Sequence, residues 1–85
     1  MMSELTRESK GAEEIVSLIN DSVRVVPGLE KIKVEVVRLP KPDPDGCNWT
    51  TQYPSLPIGT LPESKRLLRD IIRTAQRHFN LWDLH

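Results

Sequence analysis

One stretch limits what this chain can become: Thr60-Leu-Pro-Glu-Ser-Lys-Arg-Leu-Leu-Arg-Asp-Ile-Ile-Arg-Thr-Ala-Gln-Arg-His-Phe79. At about 100° per residue, Leu61, Leu67, Leu68, Ile71, Ile72, Ala75 and Phe79 share one broad apolar face of a helix. Arg66, Arg69, Arg73 and Arg77 recur on the opposite face. Thr60 and Glu63 have the spacing of a capping box, and Pro62 falls in the first turn, where a missing N–H costs nothing. Asn80 is placed to end the helix in a left-handed conformation. Such a helix must bury its apolar side, so the rest of the chain has to supply a partner surface.

The chain has 85 residues, enough for one domain over 1–85 and a modest core. Apolar residues make up 38% and charged residues 28%, a balance that suits a globular protein. No apolar run approaches the ~20 residues of a membrane span, so no membrane partner is expected. The start, Met-Met-Ser-Glu-Leu-Thr-Arg-Glu, lacks the apolar segment of a signal peptide, and the expected location is cytoplasmic. Cys47 is the single cysteine, which excludes an internal disulfide and a cysteine-based zinc site. Asn48-Trp49-Thr50 spells a glycosylation sequon, discounted for a cytoplasmic chain.

The other elements follow from periodicity. Residues 1–8 are polar and expected to be disordered. A first helix is expected over about 10–22, with Ala12, Ile15, Val16, Ile19 and Val23 on one face and Leu18 on its flank. Asn20, Asp21 and Ser22 weaken its end by competing for backbone hydrogen bonds. Val26-Pro27-Gly28-Leu29 reads as a type II turn. Ile32, Val34 and Val36 alternate with Lys33 and Glu35 as in a strand with one buried face, and Val37 marks a bulge or a second buried face. Pro40-Lys-Pro-Asp-Pro-Asp-Gly-Cys47 is a loop, and Trp49, Thr51 and Tyr53 line one side of a second strand that closes an antiparallel hairpin across it. Ser55-Leu56-Pro57-Ile58 is a candidate short edge strand. The expected fold is α+β: two helices packed on one face of a small two- or three-stranded antiparallel sheet, in the order α-β-β-(β)-α.

The formal net charge is zero, but it is unevenly spread. Residues 1–26 hold three basic against five acidic side chains, a net −2, and residues 61–85 hold five against three, a net +2. Arg66, Arg69, Arg73 and Arg77 are therefore candidates for nucleic-acid phosphates, with a solvated face balanced by Glu63, Asp70 and the acidic first helix as the plain alternative. The helix–strands–helix order resembles the double-stranded-RNA-binding domain, whose second helix lays basic residues on phosphates. The sequence departs from that family in its first-strand loop, which has Asp43 and Asp45 instead of a Gly-Pro-x-His type sequence, and in a helix start with only Lys65 and Arg66.

Other candidates have simpler readings. Asp43 and Asp45 lack the further ligands of a calcium loop and read as a turn. Cys47 and His78 are a conceivable nucleophile and base, but nothing in the sequence joins them; Cys47 reads as a small buried hydrophobe and His78 as a rim or core histidine. No catalytic residue, metal ligand or cofactor site is expected. Arg38–Pro42 and Pro54–Pro57 resemble polyproline ligand fragments and read as loops. Leu81, Trp82 and Leu84 form an apolar tail expected to pack back on the domain or to act as a protein interface, including a homodimer seam. Asn48 and Trp49 line either a small-ligand pocket or only the core.

The order of a β-prone run, a Pro/Asp loop, Gly46-Cys47-Asn48-Trp49 and a long helix closing on Phe79-Asn80-Leu81 resembles small uncharacterised bacterial proteins. That resemblance spans roughly residues 30–81 and implies no activity. Physically, Gly-x-Asn-Trp is a loop exit: glycine takes the turn, asparagine bonds backbone, and tryptophan enters the core. The sequence thus points to a non-enzymatic cytoplasmic protein-interaction module, its partner an unidentified protein or a second copy. The alternative is a nucleic-acid-binding domain using the four arginines.

Overall fold

The structure, a computed structural model, describes residues 7–82. In chain order its elements are β1 (Glu8–Lys10), α1 (Ala12–Val23), β2 (Glu35–Arg38), β3 (Trp49–Gln52), α2 (Pro62–His78) and β4 (Phe79–Leu81). The chain is a small α+β protein with two helices, as expected. Its sheet differs from the expectation: there are two separate two-stranded sheets, one of them parallel.

In α1 the apolar residues fall every four positions, so Ile15, Ile19 and Val23 form a buried seam. Glu13 and Glu14 in the first turn complement the positive end of the helix. The helix begins two residues later than expected, because Ser9 and Lys10 are drawn into β1. It ends at the expected turn, where Leu29 N–H donates to Val26 C=O at 3.0 Å and Gly28 takes φ +84°, which a side chain would strain.

Ile32, Val34 and Val36 point inward as their alternation suggests, but the ladder starts only at Glu35. Asn20 is the reason. Its side-chain amide donates to Val34 C=O at 3.0 Å, and its side-chain oxygen accepts from Val34 N–H at 2.9 Å. Val34 is held as if by a neighbouring strand, and no backbone is needed there. Further on, β2 and β3 pair antiparallel in regular register from Glu35↔Gln52 to Arg38↔Trp49. Val37 is therefore an outward residue of an unbulged strand. The proline loop closes the hairpin as expected, with Asp43 Oδ1 accepting from the N–H groups of Asp45 and Cys47, each at 3.0 Å.

Residues 55–58 form no strand, and Ile58 is fully exposed. The second sheet is instead built from the ends of the described chain. β1 pairs parallel with β4, Glu8 opposite Phe79 and Lys10 opposite Leu81, and Trp82 N–H continues the ladder to Lys10 C=O at 3.0 Å. The expected disorder of residues 1–8 thus fails at Arg7 and Glu8, and residues 1–6 lie outside the described residues.

α2 forms as its sequence dictates, with two corrections at its ends. Pro62 is the first helical residue, so Leu61 becomes the N-cap and the Thr60–Glu63 capping box does not form. Thr60 Oγ1 donates back to Pro57 C=O at 2.6 Å instead. At the other end Asn80 is not left-handed. Phe79 is extended, with φ −132° and ψ 146°, and the helix runs straight into β4. Only the centre of the apolar face, Ser64, Leu68, Ile72 and Ala75, is buried, and Ser64 Oγ donates to Pro27 C=O at 2.8 Å. The core gathers Leu68, Ile72 and Ala75 with the α1 seam, Val26, Leu29, Val34, Cys47, Trp49 and Leu81.

Candidate functional site

Every candidate surface is arranged around α2. Along the flank facing α1 runs an apolar groove of about 440 Å³, lined mainly by Leu18, Leu67, Ile71, His78 and Phe79. Leu18 and Leu67 stay 43% and 46% exposed there. Their positions follow from the width of the apolar faces: each helix carries more apolar residues than the shared seam can cover. Asp70 and His78 stand along the groove, two helical turns apart, with Thr74 between them. His78 Nδ1–H donates to Thr74 C=O at 2.8 Å, which leaves Nε2 facing outward.

The flank facing β3 is different. There a cleft of about 370 Å³ has a wall of Lys65, Arg69 and Arg73, a wall of Thr50, Thr51 and Tyr53, and a floor of Leu56, Leu68 and Ile72. Gln76 closes one end and donates its amide to Trp49 C=O at 3.2 Å. A second polar cleft, also about 370 Å³, lies by the proline loop. Arg7, Arg73 and Arg77 meet Asp43 and Asp45 there. Arg7 is fixed by hydrogen bonds to Gln76 C=O at 2.8 Å and Asp45 C=O at 2.7 Å.

The four arginines are thus distributed over the surface. Arg69 and Arg73 line the β3 cleft, Arg73 and Arg77 the loop cleft, and Arg66 lines neither. Among the described residues the ion pairs are Lys10 with Glu8 and Glu14, and Arg24 with Asp21. None of the four arginines has a carboxylate within 4.0 Å among the described residues. Among the described residues the acidic first helix makes no ion pair with them within 4.0 Å, α1 lying along the other flank of α2.

The apolar tail divides. Leu81 is buried in β4, Trp82 is 53% exposed, and Leu84 lies outside the described residues. Trp82 is held by its backbone: its carbonyl accepts from the Arg38 guanidinium as its N–H pairs with Lys10.

Gly46-Cys47-Asn48-Trp49 behaves as a loop exit and does more. Gly46 takes φ +91°, and a side chain there would meet the Arg7 guanidinium at 3.2 Å. Asn48 accepts from Leu81 N–H at 2.8 Å and donates to Leu81 C=O at 3.2 Å, so one side chain stands in for a strand between the two sheets. Asn80 returns the tie, donating to Gly46 C=O at 3.2 Å. Trp49 is fully buried, and its Nε1–H donates to Phe79 C=O at 2.9 Å. Asn48 and Trp49 are thus committed to the packing of the fold.

Cys47 is buried and its thiol donates to Trp49 C=O at 3.3 Å. Burial is the main cause pushing that thiol above its ordinary value, with the Asp43 and Asp45 charges adding to it. Cys47 and His78 belong to clefts on different flanks of α2 and are not brought together. Among the described residues, no three histidine, cysteine, aspartate or glutamate side chains are grouped to hold a metal ion. Nor is any helix among them long and apolar enough to cross a membrane.

Sequence reasoning passed over Arg7, Asn20 and Gln76 as functional or organising residues. Asn48 had a signal in the loop-exit motif. Asn20 was legible only as a helix weakener, since its partner lies fourteen residues away in a different element. No protein-family model, curated protein or solved structure matches this chain.

Proposed function

We propose that the chain is a small non-enzymatic protein-interaction module of the cytoplasm that docks its partner on the groove between α1 and α2. The supporting observation is the apolar groove itself, with two leucines near half exposure on a protein this small. A second copy is a chemically sensible occupant. Docked antiparallel about Thr74, each copy would set Asp70 against the partner's His78 and lay its half-exposed Leu67 toward the Phe79 end of the partner's groove. Sedimentation velocity over a wide concentration range tests this. The parent should self-associate, and Leu67→Asp should remain a monomer with an unchanged circular dichroism spectrum. A parent that stays monomeric, and that retains the same set of bound proteins as Leu67→Asp, would sink the reading.

A second reading, nucleic-acid binding through Arg66, Arg69, Arg73 and Arg77, is favoured by the absence of a carboxylate within 4.0 Å of these side chains among the described residues. Binding of duplex RNA or DNA should then weaken steeply as salt rises. The groove reading expects little such dependence.

A further inference from the structure

The β3 cleft has a composition that the outward arginine stripe does not explain. Lys65, Arg69 and Arg73 are spaced four apart, so they form one row along α2 about 12 Å long. Across the cleft lie Thr51 and Tyr53, which share one side of the β3 segment, with Thr50 at the margin. No carboxylate lines the cleft, in contrast to the loop cleft, which Asp43 and Asp45 share with Arg7, Arg77 and the far side of Arg73. Among the described residues, none of these six side chains makes a hydrogen bond or an ion pair within the protein. Convergent cationic and hydroxyl donors over an apolar floor suit an oxyanion attached to a flat apolar group. The cations and hydroxyls bond the oxygens, and Tyr53, 40% exposed at the rim, offers a ring face for stacking.

We infer that this cleft binds the phosphate of a nucleotide unit, with Lys65, Arg69 and Arg73 on the phosphate oxygens and Tyr53 stacked on the base. The inference rests on the second reading in using Arg69 and Arg73, and narrows it to one cleft and one chemical group. The nucleotide unit is either a free mononucleotide or part of a single strand.

Amide chemical-shift titration of the labelled full chain separates the cases, using inorganic phosphate, adenosine monophosphate, a single-stranded oligothymidylate and a short duplex. Each is compared with sodium chloride at matched ionic strength. The mononucleotide should move the amides of Thr50–Tyr53 and Lys65–Arg73 saturably, and bind more tightly than phosphate alone. Arg69→Gln and Arg73→Gln, both at exposed positions, should each lower that affinity roughly tenfold or more while preserving the rest of the spectrum. Tyr53→Ala should bring the mononucleotide down to the level of phosphate. If the oligothymidylate binds more tightly than the mononucleotide, through the same residues, the source is a strand; equal affinity makes it the free nucleotide. Shifts from duplex alone, with Arg66 and Arg77 among them and no response to phosphate or mononucleotide, would overturn the cleft and leave the nucleic-acid reading standing. Silence from all four probes would overturn both.

Discussion

The two flanks of α2 are made from one helix and differ in almost every respect. On the α1 side lie half-exposed leucines, with Asp70 and His78 along the groove. On the β3 side lie three cations, Thr51 and Tyr53, and no carboxylate. The difference arises from what each flank packs against. A helix partner shares one seam and leaves apolar margins over, because both faces are wider than their contact. A strand partner presents alternate side chains, so Thr51 comes to the edge of the helix on the same side of β3 as the buried Trp49. A single helical sequence can thus carry two unlike surfaces, and the neighbours decide where each one opens.

The two flanks share one wall, and that wall is where the largest effect lies. Trp49 bonds Phe79 of the groove side through its ring and Gln76 of the cleft side through its carbonyl. Trp49→Ala should cost about 3–5 kcal/mol, a large fraction of the ~4–13 kcal/mol expected for a chain of this length, and should abolish both surfaces together. Urea denaturation measures this, and loss of one surface alone would show that the flanks do not depend on a common wall. Asn48→Ala removes the strand-like tie to Leu81 and leaves a buried N–H and C=O unpaired. A loss of about 1–3 kcal/mol is expected, with faster amide exchange confined to β1, β4 and Trp82. Asn20→Ala should cost a similar amount, but its faster exchange should centre on Val34.

Substitutions on the flanks themselves should separate the surfaces with little change in stability. Leu67→Asp and Arg73→Gln are both at exposed positions and should stay within about 0.5 kcal/mol of the parent. Leu67→Asp should then affect only self-association, and Arg73→Gln only anion binding.

The smallest effect concerns Cys47. Because its thiol is pushed up in the folded protein, the neutral form is favoured there. The resulting stabilisation is fully present below the thiol's unfolded value, about 8.5, and is lost as pH rises through the higher folded value. As pH rises above about 8.5 the parent should therefore lose slightly more stability than Cys47→Ala. An opposite sign in urea titrations would mean that the thiol is less enclosed than it stands here. The same burial predicts slow reaction with thiol reagents until the chain unfolds.

Much of this arrangement was legible in the residues. The 3.6 periodicities of α1 and α2, the Pro27-Gly28 turn and the hairpin across the proline loop depend on neighbours a few positions apart, where backbone sterics and alternation dominate. The arginine row and the wide apolar face of α2 were equally plain. Less legible was how far that face would be covered, and so which part of it would become a groove.

The sequence alone determined the two helices and the hairpin, because each follows from local conformational preference and from the cost of leaving apolar surface in water. Tertiary structure decided the rest. Glu8–Lys10 has no strand signature, and it pairs with Phe79–Leu81 only because α2 delivers that segment beside it. Asn20 and Asn48 became substitutes for strands because their amides met backbone groups from distant parts of the chain. The four arginines parted company because β3 and the proline loop lie beside different stretches of their helix. Pairing across such separations is set by which surfaces remain to be covered once the local elements have formed, and that information belongs to the assembled molecule.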